Sequence, residues 1–547
     1  MNPYRRLREY AEEHGIAYTV RRSADKAAQL LLGTYDRVWR RTRASGEELR
    51  EQRAHPPAAG LISVVIPVYN TKVVYLDALL ESLRAQSYEN WEAVLWDGAS
   101  TSAETVSALD AAAAREPRFR VFHGKENLGI SGNTNLAFAE AKGEYVALCD
   151  HDDVLSPDAL WRMAEAIVRD RPDWLYSDED MLSQNGRVHL DPHYKPDFCP
   201  EYLAGDNYIS HLGVVKKSLL EQVGGLRSAY DGSQDHDLYL RCAAVSRNVT
   251  HVPYTLYSWR RLRSSESRRH LDRCLDAAAR AAEDAAARAG RKLTAVPVDR
   301  RLRLWYDFPR DASVEVILHG GTEAECREAY RALTAAAPWP RLRATIVPGG
   351  PEALYAGLNQ AAEESGADYL LFLEASCRTA CRHFFRELLM YACVDGVAGV
   401  TPVLTDRRGR ITHGGFALGM KGLARGIQTG LRHGAGGWHD LMNKVHNVSA
   451  AAPCCVLVRR DQFLPFDARY RSGLGAAEQG LRAAERGMRF VITPHAATVC
   501  ENSPLLLAGE ARDPRDAELF GRDHGDAFRD PRYPARLGRE RADYQWK

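Results

Sequence analysis

The sequence predicts an α/β protein made of two tandem domains, each built on a mostly parallel β-sheet with flanking helices. Three observations lead to this prediction. The chain has 547 residues, which is too long for one hydrophobic core, because a domain usually contains roughly 100–200 residues. From Leu61 onward, short apolar segments alternate with amphipathic helical segments, as in sheets that are buried on both faces. This alternating pattern occurs twice along the chain.

Composition limits the classes of protein to which the chain can belong. The formal net charge is +1, and the hydrophobic and charged fractions, 45% and 27%, are those of an ordinary globular protein. With no excess of positive charge, we expect no nucleic-acid partner. No apolar run reaches the roughly 18 residues that cross a bilayer, and "MNPYRRLREY" has no apolar signal-peptide core. These features predict a cytoplasmic protein.

The eleven cysteines predict free thiols and neither a disulfide framework nor a zinc site. Their number is odd, and they are scattered without a Cys-x-x-Cys pair. Cys377 and Cys381, like the adjacent Cys454 and Cys455, have no nearby ligand partners at zinc spacing. We therefore expect buried or free thiols in a reducing compartment.

Residues 1–60 are predicted to form a basic, helical N-terminal extension. The segment is dense in arginine, and "AAQLLLGTYDRVW" repeats apolar residues at helical spacing. "AHPPAAG" then interrupts the pattern as a linker would. Two interpretations remain open, namely a solvated helical arm and an arm that makes peripheral contact with anionic lipid.

Residues 61–265 are predicted to form the first domain. "LISVVIPVYN" predicts a buried strand, "LDALLESLRAQ" a helix and "WEAVLWDGAS" a second buried strand. "RFRVFHG", "TNLAFAEAKG" and "EYVALCD" continue as strand, helix and strand. Ser156-Pro157-Asp158 is then typical of the start of the next helix.

Acidic residues follow two of these predicted strands. Asp97 ends the second strand, and the loop after "EYVALC" contains Asp150, Asp152 and Asp153. Because α/β sheets place ligand sites at the carboxyl ends of their strands, we expect these residues at one edge. Three acids in one loop suit a hard divalent cation with oxygen ligands, whereas a solvated surface turn is the alternative interpretation.

An ordered set of motifs between Ser63 and Arg260 resembles the inverting, nucleotide-sugar-dependent glycosyltransferases of family 2, which have the GT-A fold. The motifs are "SVVIPVYN", "WDGAS", "ENLGISGNTNLAFAEAKGEYVALCDHDDVLSPDAL", "YSDED", "KPDF", "NYISHL", "GGLRSAYDGSQDHDLYLR" and "VPYTLYSWR".

The resemblance implies an enzyme that moves a sugar from a nucleoside-diphosphate donor, with UDP or dTDP favoured, to a hydroxyl group of a glycan acceptor. It also implies synthesis of a bacterial surface polysaccharide of the O-antigen type. The acceptor is expected to be lipid-linked and to be met peripherally at the inner membrane face. A bound cation would stabilise the diphosphate leaving group, and one carboxylate would take the acceptor proton.

The resemblance further implies roles for single residues. Asp235 matches the catalytic base, and Asp152 and Asp153 match the acids that hold Mg²⁺ or Mn²⁺ on the diphosphate. The donor-binding positions include the nucleobase border, the acid that bonds a uracil or thymine ring, and the acid near the ribose. The residues at these donor positions are Pro67, Tyr69, Asn70, Asp97, Asn127, Asp150 and Arg260. Contacts with the acceptor are expected from Asp178, Lys195, His211 and Trp259.

Two positions depart from the family pattern. The usual Y-H-W-R segment reads Tyr257-Ser258-Trp259-Arg260 here, so the histidine near the metal is missing. His236, His251 or water are candidate replacements for that ligand. Gly98 follows Asp97 where many relatives have a second aspartate.

The second half is predicted to be a diverged copy of the first. Residues 266–297, rich in alanine and charge, predict a helical linker, and residues 298–547 predict a second GT-A-like domain. Asn133–Asp153 aligns without gaps on Gly357–Cys377. The alignment replaces the acids with Glu374, Ser376 and Cys377, and it places Ala476 at the position of Asp235 and Cys500 where active relatives have the histidine. We therefore expect no transferase activity from this domain.

Two other classes of function remain as alternatives. One is a non-catalytic glycan-binding or scaffold protein, against which the complete acid set of the first half argues. The other is a metal-dependent nucleotidyltransferase or phosphohydrolase that uses the same acids. The sequence offers that class neither a Walker-type glycine-rich loop nor a His-Asp metal array.

Overall fold

A computed structural model of the protein describes residues 33–262, 270–350, 352–420, 423–506, 513–525, 528–540 and 542–544. These residues form two compact units, one ending at Leu304 and the other beginning at Trp305. Residues 1–32 of the predicted extension, and with them its lipid contact, lie outside the described residues. Within the described ranges, no helix combines the length and apolar character that a membrane span requires.

The first unit is organised around one large sheet. Its strands are β1 Ile62–Val68, β2 Trp91–Asp97, β3 Phe119–His123, β4 Tyr145–Leu148, β5 Val154–Leu155, β6 Trp174–Leu182, β7 His189–His193, β8 Gly213–Lys216 and β9 Val249–Arg260. They lie in the order β3-β2-β1-β4-β8-β6-β9-β5, and β7 pairs with β6. Among the described strands of this sheet, β1 to β4, β6 and β9 point in one direction. The predicted α/β class with a mostly parallel sheet is confirmed.

Helices cover this sheet as the apolar periodicity predicts. In α3, Leu76, Leu79, Leu80 and Leu83 form one buried stripe, and every residue of β1 is buried. The helices are α1 Thr34–Thr42, α2 Gly46–Ala54, α3 Val73–Arg84, α4 Ala103–Arg115, α5 Gly129–Glu140, α6 Ala159–Asp170, α7 Pro200–Gly205, α8 Lys217–Val223, α9 Gln234–Val245 and α10 Leu271–Arg288.

The register of the central strands brings three chain segments to one edge. Val68 of β1 pairs with Asp97 of β2, and Val65 of β1 pairs with Leu148 of β4. The chain therefore leaves these parallel strands on the same side of the sheet, and the acid loop begins there at Asp150.

The helices α1 and α2 are part of the body of the first unit. Tyr35 is buried, and its hydroxyl donates a hydrogen bond to the Asp180 carboxylate at 3.1 Å. The Trp39 ring stacks on His189 with centroids 3.5 Å apart. Residues 33–60 are therefore not a wholly solvated arm, because Tyr35 and Trp39 of α1 pack against β6 and β7. Contact of this stretch with lipid stays a prediction.

The helix α10, predicted as a linker, also packs on the first unit. Its Asp284 accepts a hydrogen bond from Arg227 at 2.7 Å, and the Ser233 hydroxyl donates to the carbonyl of Cys274 at 2.8 Å. The two-stranded sheet of β10 Leu293–Val298 and β11 Arg301–Tyr306 follows it. The compact first unit thus extends beyond the predicted boundary at residue 265.

The second unit repeats the strand succession of the first. Its strands are β12 Val314–His319, β13 Leu342–Ile346, β14 Tyr369–Glu374, β15 Arg378–Thr379, β16 Val397–Thr405, β17 Ile411–His413, β18 Phe416–Met420, β19 Leu423–Gly426, β20 His446–Val448, β21 Cys455–Arg459 and β22 Arg489–Val499. The main sheet has the order β13-β12-β14-β21-β16-β22-β15. These strands take, in that order, the places of β2, β1, β4, β8, β6, β9 and β5 in the first unit. The registers agree, because Tyr145 pairs with Ile62 just as Tyr369 pairs with Val314.

The helices of the second unit are α11 Glu323–Ala336, α12 Leu354–Glu364, α13 Phe384–Ala392, α14 Leu474–Glu485 and α15 Pro514–His524. Two of them, α12 and α14, lie where the aligned segments of the internal repeat predict helices.

Replacing Trp174 with alanine tests the core of the first unit. Trp174 is fully buried in β6 and stacks on Tyr239 with centroids 5.3 Å apart. Trp174→Ala leaves a large cavity, so we expect the free energy of unfolding to fall by about 3–5 kcal/mol. The urea midpoint, followed by circular dichroism, measures this loss. The control Val168→Ala alters a side chain that is 47% exposed and should shift the midpoint little, whereas equal midpoints for both variants would contradict the packing.

Candidate active site

Asn70, at the carboxyl end of β1, ties this strand to the start of α4. Its backbone has a positive φ of 48°, and its side-chain oxygen accepts hydrogen bonds from the amides of Thr101 at 2.8 Å and Ser102 at 3.0 Å. Tyr69 beside it is 43% exposed, whereas Pro67 is buried in β1. Of these three predicted nucleobase neighbours, only Tyr69 and Asn70 therefore present surface to solvent.

Asp97 is buried at the end of β2 and is held by two hydrogen bonds. Its carboxylate accepts from the Ser100 amide at 3.0 Å and from His123 Nδ1 at 2.9 Å. The other ring nitrogen of His123 lies 3.0 Å from Asp110. The hydrogen bond to Asp97, followed by Asp110, raises the pKa of His123. His123 is a neighbour of this site that the sequence motifs did not indicate, and the contact of Asp97 with a pyrimidine stays a prediction.

The space around Gly98 is restricted by the side chain of Asn133. Asn127 accepts hydrogen bonds from the Gly129 amide at 3.0 Å and from Asn133 Nδ2 at 2.8 Å. A Cβ atom on Gly98 would lie 2.4 Å from the same Asn133 nitrogen. A side chain at position 98 would therefore require the amide of Asn133 to move.

Asp153 and Arg260 fix the acid loop to β9. Asp153 is buried and accepts from the Tyr257 hydroxyl at 2.7 Å and from the Arg260 amide at 2.6 Å. The Arg260 guanidinium donates to the carbonyl of Asp152 at 2.7 Å and lies over the Tyr75 ring. These internal bonds position both groups, and the metal contact of Asp153 and the diphosphate contact of Arg260 stay predictions.

The electrostatics of the acid loop favour a bound cation. Burial, followed by the charge of Asp150, raises the pKa of Asp152. Burial and the charges of Asp152 and Asp150 raise the pKa of Asp153 well above its ordinary value. Like charges thus stand together, offset in part by His151, His211 and Arg260. The oxygen donors of Asp150 and Asp152 fit a hard cation that shares its shell with phosphate and water.

His211 is the imidazole that lies beside this loop. Its Nε2 atom is 3.6 Å from the Asp150 carboxylate, and its ring stacks on Tyr257 with centroids 4.7 Å apart. Burial opposes a proton on the ring, but Asp150 and then Asp235 and Asp153 raise the pKa of His211 to about 9. Burial alone would raise the pKa of Asp150, yet His211 lowers it below its ordinary value. His211 is thus a charge partner of Asp150, and its contact with an acceptor stays a prediction.

The proposed substitutes for the missing histidine ligand do not reach the loop. His236 bonds the carbonyl of Leu203 at 2.6 Å. His251 bridges Asp178 and Asp197 at 2.9 and 3.1 Å. Ser258 itself faces the other way, since its hydroxyl lies 3.4 Å from His189. Adjacent residues of a strand point to opposite faces, and this alternation turns Ser258 away from the face shared by Tyr257 and Trp259.

Two predicted acceptor residues lie beneath the site. Asp178 and Lys195 are 1% and 0% exposed, and the Asp178 carboxylate accepts from the Lys195 amide at 2.8 Å. Lys195 Nζ donates to the carbonyl of His211 at 2.6 Å and lies 3.2 Å from Glu179. Both residues are therefore corrected to internal supports, because an acceptor cannot contact them. Trp259 is partly exposed, and its indole nitrogen donates to Glu179 at 3.1 Å.

Asp235 lies in the first turn of α9. Asn207 Nδ2 donates to its carboxylate at 2.7 Å, and the backbone amide of His236 donates at 2.9 Å. Its charge acts on His211, which connects it with the acid loop. A carboxylate held in this way can accept a proton from a hydroxyl group placed between α9 and the loop.

The second unit has lost these groups at the equivalent positions. Ala476, buried in α14, stands for Asp235. Leu155 pairs with Tyr257 in the first unit, and Thr379 pairs with Thr498 in the second. This register places Val499 at the position of Ser258, so the expectation that Cys500 occupies the histidine position is off by one residue.

Comparisons with known proteins agree with the geometry. Residues 63–223 match the sequence model of the family Glycosyl transferase family 2, and Asp235 and Arg260 lie beyond that match. "Uncharacterized protein y4gI" of Sinorhizobium fredii (strain NBRC 101917 / NGR234) is 31% identical, over 88% of this chain and 58% of that protein. "O-antigen biosynthesis protein RfbC" of Myxococcus xanthus is 29% identical, over 81% of this chain and 37% of that protein. The chain thus spans about half the length of these relatives.

The solved structures include "Crystal structure of S. aureus TarS 1-349 in complex with UDP-GlcNAc". It has a TM-score of 0.32 and 22% identity, and it covers 37% of this chain and 59% of that chain. The family assignment rests on the sequence match. Through residues 63–223, the first unit of this protein belongs to glycosyl transferase family 2.

Proposed function

We propose that the first unit is an inverting glycosyltransferase. It moves a sugar from a nucleoside-diphosphate donor, with UDP or dTDP favoured, to a hydroxyl group of a glycan acceptor. The reaction depends on Mg²⁺ or Mn²⁺ at the acid loop, where Asp152 supplies a carboxylate and Asp150 stands beside it. The donor site follows the shared edge of β1, β2 and β4.

One arrangement carries this proposal: a single short segment, residues 207–211, touches both the acid loop and Asp235. His211 Nε2 lies 3.6 Å from the Asp150 carboxylate, and Asn207 Nδ2 donates to the Asp235 carboxylate at 2.7 Å. An inverting transfer needs a cation site for the diphosphate and one base near the acceptor hydroxyl. The Ser210 amide and hydroxyl donate to Asn207 at 3.3 and 3.1 Å, so this segment holds Asp235 and the acid loop on the same side of the unit.

The proposed chemistry follows from these positions. The acceptor oxygen forms a bond to the anomeric carbon as the bond from that carbon to the diphosphate oxygen breaks. Asp235 takes the acceptor proton, and the electron pair of the broken bond leaves with the nucleoside diphosphate. A bound divalent cation supplies positive charge to that leaving group. Asn207 keeps the carboxylate of Asp235 oriented, and attack opposite the leaving group inverts the anomeric centre.

The proposed setting is the synthesis of a surface polysaccharide on a lipid-linked acceptor at the cytoplasmic face of the inner membrane. The similarity to a protein named for O-antigen biosynthesis supports this setting. The second unit, expected to begin near residue 298, would carry no transferase activity of its own, because Ala476 cannot act as a base.

Replacing Asp235 tests the catalytic base. Asp235→Asn keeps the size and the hydrogen bond geometry but removes the proton acceptor, so we expect turnover to fall by about 10²–10⁴-fold. The donor affinity should change little. The measurement is the release of nucleoside diphosphate from UDP-, dTDP- and GDP-sugars in the presence of glycan acceptors. Donor binding is measured in parallel by calorimetry.

The control for this variant is Asp276→Asn, which removes an exposed carboxylate from α10 and should leave turnover unchanged. Adding Ala476→Asp to the Asp235→Asn variant should restore nothing. Full turnover in Asp235→Asn would refute the assignment of the base. Release of nucleoside monophosphate would instead indicate a phosphohydrolase or nucleotidyltransferase, and glycan binding without turnover would indicate a scaffold.

Removal of the metal tests the acid loop. We expect EDTA to abolish turnover and Mn²⁺ or Mg²⁺ to restore it, because the diphosphate then regains its counter-charge. Asp152→Asn should raise the Mn²⁺ concentration required for half-maximal turnover by about tenfold or more. The control Asp77→Asn alters an exposed carboxylate of α3 and should need the same Mn²⁺ concentration as the unaltered protein. Turnover that is insensitive to EDTA would exclude the metal from the proposal.

A further inference from the structure

Three ligand-type side chains meet inside the second unit. Glu374 ends β14, Cys454 immediately precedes β21, and Cys500 immediately follows β22. One carboxylate oxygen and the two sulfur atoms all lie within 4.8 Å of one another, and all three residues are buried. Cys377 is next to them, since its thiol donates to the carbonyl of Cys454 at 3.2 Å.

The carboxylate in this cluster has no cationic partner. Its oxygens accept hydrogen bonds from the hydroxyl of Ser376 at 3.0 Å and from Ser503. No lysine or arginine of the described residues pairs with Glu374, which is only 5% exposed. A buried carboxylate without a positive partner is unfavourable, and a bound cation removes that cost.

The cluster occupies the place of the acid loop of the first unit. Tyr145 pairs with Lys216 in the first sheet and Tyr369 pairs with Arg459 in the second, so Cys454 stands at the position of His211. The aligned loops place Glu374 at the position of Asp150 and Cys377 at that of Asp153. Where the first unit brings carboxylates to an imidazole, the second brings a carboxylate to thiols.

We propose that this cluster is a zinc site formed by Glu374, Cys454 and Cys500, with Cys377 as the fourth ligand. A tetrahedral Zn²⁺ with Zn–S bonds of about 2.3 Å holds neighbouring ligand atoms about 3.7 Å apart, which the observed grouping allows. Sulfur donors select a thiophilic ion over the Mg²⁺ or Mn²⁺ that suits the first unit. Binding displaces the thiol protons to solvent, so the site holds its charge as thiolate and carboxylate around one divalent ion.

The role of this site is structural. Its ligands come from the ends of β14 and β22 and the start of β21, so one ion fastens three strands that are distant in sequence. Four protein ligands leave no open position for a substrate, unlike the acid loop of the first unit.

The experiment measures metal on the purified full chain under reducing conditions. We expect about one zinc per chain by elemental analysis, retained on dialysis against EDTA-free buffer. Substitution by Co²⁺ should give the visible and near-ultraviolet bands of thiolate coordination. Cys454→Ser and Cys500→Ser should each lose the zinc and these bands, and Glu374→Gln should bind zinc more weakly.

The matched control is Cys455→Ser, which changes the next, equally buried cysteine and should retain the zinc. Asp152→Asn in the first unit should also retain it, which separates this site from the proposed transferase site. Because a variant can fail to fold, the unaltered chain supplies a second measurement. A strong chelator should lower its melting temperature, and added zinc should restore it.

Three results would overturn the proposal. The first is a folded, reduced chain without zinc that takes up neither Zn²⁺ nor Co²⁺. The second is bound zinc that survives both Cys454→Ser and Cys500→Ser. The third is an intact mass lower by two hydrogens with no metal, which would show a disulfide in place of the ion.

Discussion

The first unit depends on how it neutralises negative charge that is buried at one edge of a sheet. Asp153 accepts hydrogen bonds from a phenol and a backbone amide of β9, and Asp150 lies beside the imidazole of His211. In the neighbouring strand β6, the pKa of Glu179 falls to about 2, because the positive charges of Lys195, His193 and His211 outweigh the effect of burial. These groups are hydrogen-bonded or paired with one another, so the removal of one side chain leaves a buried charge without its partner.

The two units share a strand order but differ in the polar residues at this edge of the sheet. β14 is buried at every position, and the strand order around it repeats that of the first unit. Apolar burial is set by strand faces, whereas the residues after the strands are free to change. The position that holds Asp150 in one unit and Glu374 in the other therefore keeps a carboxylate while its neighbours change from oxygen and nitrogen donors to sulfur.

Much of this could be predicted from the sequence, because periodicity and strand-end position report directly on burial and on the edge of the sheet. The alternating segments, the internal repeat and the acid loop follow from such local patterns. The partners within the site do not. His211 meets Asp150 only through the pairing of β4 and β8, and Ser258 points away because of its place in the pleat. Cysteines separated by many residues showed no zinc spacing, since the fold alone brings Cys454 and Cys500 together.

The packing of α1 and α10 determines where the first unit can be cut. The match to family 2 begins at residue 63, which suggests a fragment that starts at β1. In such a fragment, the buried Asp180 would lack its hydrogen bond from the Tyr35 hydroxyl, and His189 would lack the stacked indole ring of Trp39. The fragment would lose Arg227's partner Asp284 if it also ended at β9. A recombination event that moves this unit into another protein must therefore carry both flanking segments, and the autonomous module is longer than its family signature.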